Sequence, residues 1–89
     1  MKAIVTVVGE DRVGIIAAVC TKLAEYNVNV LDISQTVMQG YFTMMMVTEV
    51  SGCSVPLAEL CEKMEEAGKN MGLSIRVQRE DIFEAMHRI

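Results

Sequence analysis

The chain of 89 residues is 52% hydrophobic and 22% charged, and its 12 acidic and 8 basic side chains leave a formal net charge of −4. That length makes one domain, one that buries only roughly 60–65% of the surface its unfolded chain exposes, so a partner subunit would add stability. With no basic cluster to neutralise phosphates, no apolar run near the roughly 20 residues that span a bilayer and no signal-peptide pattern after Met1, the sequence speaks against nucleic acid, membrane and export, and predicts a cytoplasmic protein.

Residues 3–8, short and β-branched and followed by Gly9, read as a first strand covered on both faces. From Arg12 to Tyr26 the residues Ile15, Val19, Leu23 and Tyr26 recur at helical spacing, with Ile16 and Cys20 beside them and Lys22 and Glu25 opposite. Asp11 is placed to cap this helix, and Asn27 to end it in the left-handed conformation. Residues 29–39 and 41–50 predict two antiparallel strands joined at Gln39-Gly40. After the Gly52-Cys53-Ser54 turn, Ser54 is a candidate cap and Pro56 a first-turn residue.

A second helix buries Leu57, Leu60, Cys61, Met64 and Met71, keeps Glu59, Glu62, Lys63, Glu65, Glu66 and Lys69 outside, and stops at Gly72. In residues 73–79, Leu73, Ile75 and Val77 alternate with Ser74, Arg76 and Gln78, which predicts a half-exposed strand. A tail from Asp81 to Ile89 places Ile82, Phe83, Met86 and Ile89 at helical intervals and should dock; His87, the single histidine, is expected at its surface or its C-terminal dipole.

The order β-α-β-β-α-β predicts an α+β, ferredoxin-like fold: a four-stranded antiparallel sheet with two helices on one face, plus a short C-terminal helix. The domain spans 1–79 and the helical extension 80–89. Strands two and three carry apolar residues on both faces, Tyr41, Met45 and Val47 on one and Phe42, Met44, Met46 and Val50 on the other, so the face without helices needs a cover. A second copy in a symmetric homodimer is the expected cover; the alternative is the C-terminal helix folding back.

Cys20, Cys53 and Cys61 are odd in number and lack C-x-x-C spacing, which predicts reduced, packing thiols and no metal site. The segment Gly9-Glu10-Asp11-Arg12-Val13-Gly14-Ile15-Ile16 turns from strand to helix between two glycines. It is no phosphate loop, because Ile15 and Ile16 stand where Lys and Ser or Thr are needed. A small zwitterion would suit it: amides around Val13, Gly14 and Ile15 face a carboxylate, Gly14 permits close approach, and Asp11 faces an ammonium. The plainer reading, which sequence physics favours, has Asp11 as a cap, Arg12 as a solvated charge and Gly14 as a packing glycine. In Asn27-Val28-Asn29-Val30-Leu31-Asp32-Ile33-Ser34-Gln35, alternation puts Val30, Asp32 and Ser34 on one face. Asn29 could offer its amide to a ligand at a sheet edge or serve the turn, and Asp32 either faces water or, the favoured reading, pairs across an interface, for instance with Arg76 or Arg79.

With G-E-D-R-V-G-I at the first turn and N-V-N-V-L-D-I at the start of the second strand, residues 1–79 resemble an ACT domain, the small regulatory module that binds amino acids. The likeness is greatest to free-standing single-domain ACT proteins and extends to the domains of the glycine-cleavage repressor. The family turn commonly has proline before its second glycine; here it is Val13. The resemblance implies a ligand at a domain interface, between the first turn of one subunit and the start of the second strand of its neighbour. Asp11 and Asn29 match side-chain contacts of serine-binding members, and Val13, Gly14, Ile15 and Val30 match backbone contacts. Together with Arg12 these form the candidate ligand-binding set.

The reading is a non-enzymatic sensor that binds a small amino acid, glycine or serine first, at a homodimer interface, with no cofactor and with a client enzyme or regulator as a further partner. The alternative is a structural dimerisation or client-binding module without ligand. Catalysis is not expected, because no nucleophile has an evident base.

Overall fold

The structure, a computed structural model, describes residues 1–87 apart from the side chains of Met86 and His87. The expected placements of Met86, His87 and Ile89 therefore lie outside the described residues. In chain order the elements are β1 (Lys2–Glu10), α1 (Ile15–Glu25), β2 (Asn29–Met38), β3 (Tyr41–Glu49), α2 (Leu57–Met71), β4 (Ser74–Arg79) and α3 (Glu80–His87). The four strands form one antiparallel sheet in the order β2-β3-β1-β4, the ferredoxin-like arrangement anticipated from the element order.

Cross-strand pairs build the core. Val5 pairs with Met46 and Val77, and Val7 with Met44 and Ile75, so these side chains share one face. All are buried, beneath Ile15, Val19 and Leu23 of α1 and Leu60 and Met64 of α2. Each large apolar side chain so buried stabilises the fold by about 1.5–3 kcal/mol. Cys20, Cys53 and Cys61 are free and half-buried at the margin of this core, as small hydrophobes are.

Several boundaries differ from the sequence reading. β1 runs through Gly9 to Glu10, because both residues stay paired with β3, opposite Phe42 and Tyr41; a β-carbon at Gly9 would collide with the Leu73 side chain, so the glycine marks a close approach rather than a strand end. α1 begins at Ile15, three residues later than its apolar spacing suggests. Ser54 does not cap α2; its amide donates to the Tyr26 carbonyl at 2.9 Å, and Pro56 occupies the cap position just outside the first turn. As expected, Asn27 is left-handed (φ 60°) and Gln39-Gly40 joins β2 to β3 with positive φ at both residues (50° and 83°).

On the face away from α1 and α2, apolar and polar residues interleave. One row runs Ser34, Met45, Thr6, Arg76 across the four strands, so this face is less apolar than expected. α3 contacts β1 and β4 of its own chain, and Ile4 on this face is only 6% exposed. The C-terminal helix thus covers one end of the open face from within the chain. Val8, Tyr41 and Met45 remain exposed.

Candidate functional site

The turn from β1 to α1 is held at its near end by the hairpin. Glu10 pairs with Tyr41, and the Asp11 amide donates to the Gly40 carbonyl at 2.8 Å. Gly14 is the N-cap of α1, at φ 89° and ψ 2°, and no side chain caps the helix. Asp11 is therefore not the cap. Nor is Gly14 a packing glycine, since a β-carbon there would meet nothing within 4 Å; glycine is required by the left-handed φ. The first backbone bond of α1 runs from Ala18 to Gly14 at 2.9 Å, which leaves the amides of Ile15, Ile16 and Ala17 without an intrahelical acceptor. No acidic residue stands in that first turn.

Arg12 is exposed, as a solvated charge would be, yet it is also tethered. Its guanidinium donates to the Met71 carbonyl at the C-terminal end of α2. The Asp11 carboxylate, in contrast, makes no hydrogen bond or ion pair with a described residue, and Val13 is fully exposed. Between this turn and the sheet lies a shallow cleft of about 220 Å³, lined by Asp11, Arg12, Gly14, Ile15, Ile16 and Ala17 and by Gln35, Val37 and Phe42. Gln35 and Val37 were not among the expected site residues. Their pairing with Met44 and Phe42 puts them on the helix side of β2, facing the turn.

Asn29 and Val30 are at the other end of β2, paired with Glu49 and Thr48. Eight residues of strand, roughly 26 Å, separate Asn29 from Val37, so one chain alone does not unite the candidate set. A bulge between Val30 and Asp32 also changes the faces. Val30 shares the helix side with Ile33, Gln35 and Val37, while Asp32 and Ser34 lie on the open side, contrary to simple alternation. The turn-forming asparagine is Asn27, whose side chain donates to the Gly52 carbonyl at 2.8 Å.

Within one chain Asp32 is exposed and makes no ion pair with a described residue. Asp32 accepts from the Ile33 amide at 2.9 Å, Arg79 pairs with Asp81 at 3.1 Å, and Arg76 is on the opposite edge strand. Burial pushes the Cys61 thiol up, away from the thiolate a nucleophile needs, and its sulfur donates to the Val77 carbonyl at 3.2 Å. Among the described residues no group of three or more His, Cys, Asp or Glu could hold a metal ion, and no helix is long and apolar enough to cross a membrane.

The glycine-bracketed turn lies over a ferredoxin-like sheet, and the family model of the ACT domain matches residues 2–78. The chain belongs to the ACT domain family. ACT domains generally serve as regulatory ligand-binding modules, typically for small amino acids, and often dimerise. A UPF0237 protein of Bifidobacterium longum is 53% identical over 88 residues, spanning 99% of this chain and 98% of its own. An ACT domain protein from Streptococcus pneumoniae superposes with a TM-score of 0.83 at 46% identity, covering 98% of both chains. A structure assigned as a glycine cleavage system transcriptional repressor shares the fold alone, at 20% identity and a TM-score of 0.73, with 88% of this chain matching 44% of that one.

Proposed function

We propose that this ACT domain is a non-enzymatic sensor that binds a small amino acid, glycine or serine, between two copies of the chain. The observation that carries the reading is the contrast between the two sheet edges. β2 is ten residues long, holds no Lys, Arg or Pro, and exposes Leu31, Ile33, Val37 and Met38 at 39% to 68%. Such an edge invites pairing. β4 is six residues long, carries Arg76 and Arg79, and has its Val77 carbonyl occupied by Cys61. That edge is guarded.

Two-fold antiparallel pairing of β2 with a second copy, centred on Ser34 and with the bulge at Leu31 kept, would put that copy's Asn29 and Val30 beside Met38 and Val37, at the mouth of the cleft. The separated halves of the candidate set would then meet. In this reading the free amides at the start of α1 take the ligand carboxylate, aided by the positive end of the helix dipole, and Asp11 takes the ammonium. Val13, Gly14 and Ile15 contribute backbone, and Arg12 stands beside them. A cleft of about 220 Å³ favours a ligand with a short side chain. Binding acts by shifting the population of dimer states that a client enzyme or regulator recognises, in the cytoplasm that three free thiols suit.

A thermal-shift screen of the twenty amino acids at millimolar concentration tests this reading. Glycine or serine is expected to raise Tm; silence from all twenty contradicts it. A second reading, a dimerisation or client-binding module without ligand, is favoured by the structural bonds that already engage Arg12 and the Asp11 amide. Asp11→Ala and Asn29→Ala separate the two: a changed ligand response at unchanged dimer mass supports sensing, and a change in stability alone supports the scaffold.

A further inference from the structure

The segment between Asp11 and α1 has little holding it. Val13 is fully exposed, and nothing lies within 4 Å of where a side chain on Gly14 would begin. At one end the Asp11 amide is tied to the Gly40 carbonyl. The other tie is the guanidinium of Arg12, which donates to the Met71 carbonyl while its second terminal nitrogen lies 3.8 Å from where a β-carbon on Gly72 would stand. Met71 is the last residue of α2, so its carbonyl belongs to the group that a helix leaves without an internal partner, and a cation there also meets the negative end of the helix dipole. The bond joins residues 59 apart in sequence.

We infer that Arg12 is a positioning residue of the amino-acid site: it holds the turn against the end of α2 so that the Asp11 carboxylate and the amides that follow Gly14 stand ready over the cleft, and it does not itself touch the ligand. This rests on the proposed reading of the turn as a binding site. A turn fixed before the ligand arrives binds more tightly because less freedom is lost on binding. Release of the guanidinium therefore weakens binding without removing any ligand contact.

The test compares the full chain with Arg12→Ala, Arg12→Met, which keeps the length but not the donor, and Arg12→Lys, which can reach the same carbonyl. Amide hydrogen exchange is followed without added ligand, and glycine and serine are titrated by calorimetry. In Arg12→Ala and Arg12→Met, exchange at the two hydrogen-bonded amides that flank the turn, Asp11 to the Gly40 carbonyl and Ala18 to the Gly14 carbonyl, should speed up about tenfold or more while the β1–β3 ladder is unchanged, and amino-acid affinity should fall by a similar factor; Arg12→Lys should restore most of both. Unchanged exchange in the donor-less variants overturns the assignment whatever binds. Affinity lost with exchange unchanged also overturns it, since Arg12 would then be a ligand contact. If the wild-type chain binds neither amino acid yet exchange responds as expected, the ligand reading fails while the anchoring of the turn by Arg12 stands.

Discussion

The Thr48 hydroxyl donates to the Ala3 carbonyl at 2.8 Å across the paired strands β3 and β1, and Thr48 is the buried polar side chain of the core among the described residues. This bond satisfies a hydroxyl that would otherwise be desolvated without a partner. Thr48→Val keeps the shape and removes the bond, and should cost about 1 kcal/mol. In a domain of this size, thermal unfolding should register that as a fall in Tm of roughly 4–8 °C. A Tm equal to that of the wild type would show the hydroxyl to be dispensable.

Gly14 caps α1 with a left-handed backbone. An alanine there suffers no clash with neighbours, so its whole cost is conformational, about 1–2 kcal/mol. Gly14→Ala should lower the urea midpoint by that equivalent and, because the cap sets where the free amides of α1 stand, should also abolish the amino-acid response. Unchanged stability would show that the turn can adopt another conformation at no cost.

Glu49 receives the amino group of Met1 at 2.8 Å and bonds Ser51 through its hydroxyl at 2.7 Å and its amide at 3.2 Å. These partners, the amino group first, hold its carboxyl down from the ordinary 4.5 to about 2. Because the folded value is the lower one, the stabilisation is present above pH 4.5 and is lost as pH falls from there toward about 2. Glu49→Gln should flatten that part of the Tm–pH curve relative to wild type and lower neutral-pH stability by the same amount that acid removes from the wild type, a small one as suits an exposed pair. Parallel curves for the two proteins below pH 4.5 would contradict the assignment.

Ile33 is 39% exposed at the centre of β2, on the edge proposed to pair with a second copy. Ile33→Lys would bring two lysines together near the two-fold axis, where like charges oppose pairing. Sedimentation at micromolar concentration should show the dimer weakened about tenfold or more, with far-UV circular dichroism unchanged. An undisturbed dimer would shift the interface to another surface.

The layout of this fold was legible in its periodicities: α1 and α2 in their apolar stripes, the hairpin in Gln39-Gly40, the end of α1 in Asn27. What escaped were features set by partners far away in sequence. Alternation along β2 is broken by the bulge at Leu31, which moves Val30 to the helix side and parts it from Asp32 and Ser34. The resulting faces bring Gln35 and Val37 into the cleft, a placement that single-strand alternation cannot reveal. The part played by Arg12 depends on where α2 ends, and that meeting is a product of packing. The packing role read for Gly14 gives way to a left-handed cap, because a positive φ and a tight contact leave the same mark in a sequence.

Native mass spectrometry of the purified protein, with and without millimolar glycine or serine, addresses the proposed function most directly because it reports subunit number and bound ligand together. The expected spectrum is a dimer that gains one or two amino-acid masses on addition and loses them in Asp11→Ala at unchanged dimer mass. A chain that stays monomeric at micromolar concentration, or a dimer that takes up neither amino acid, would contradict it.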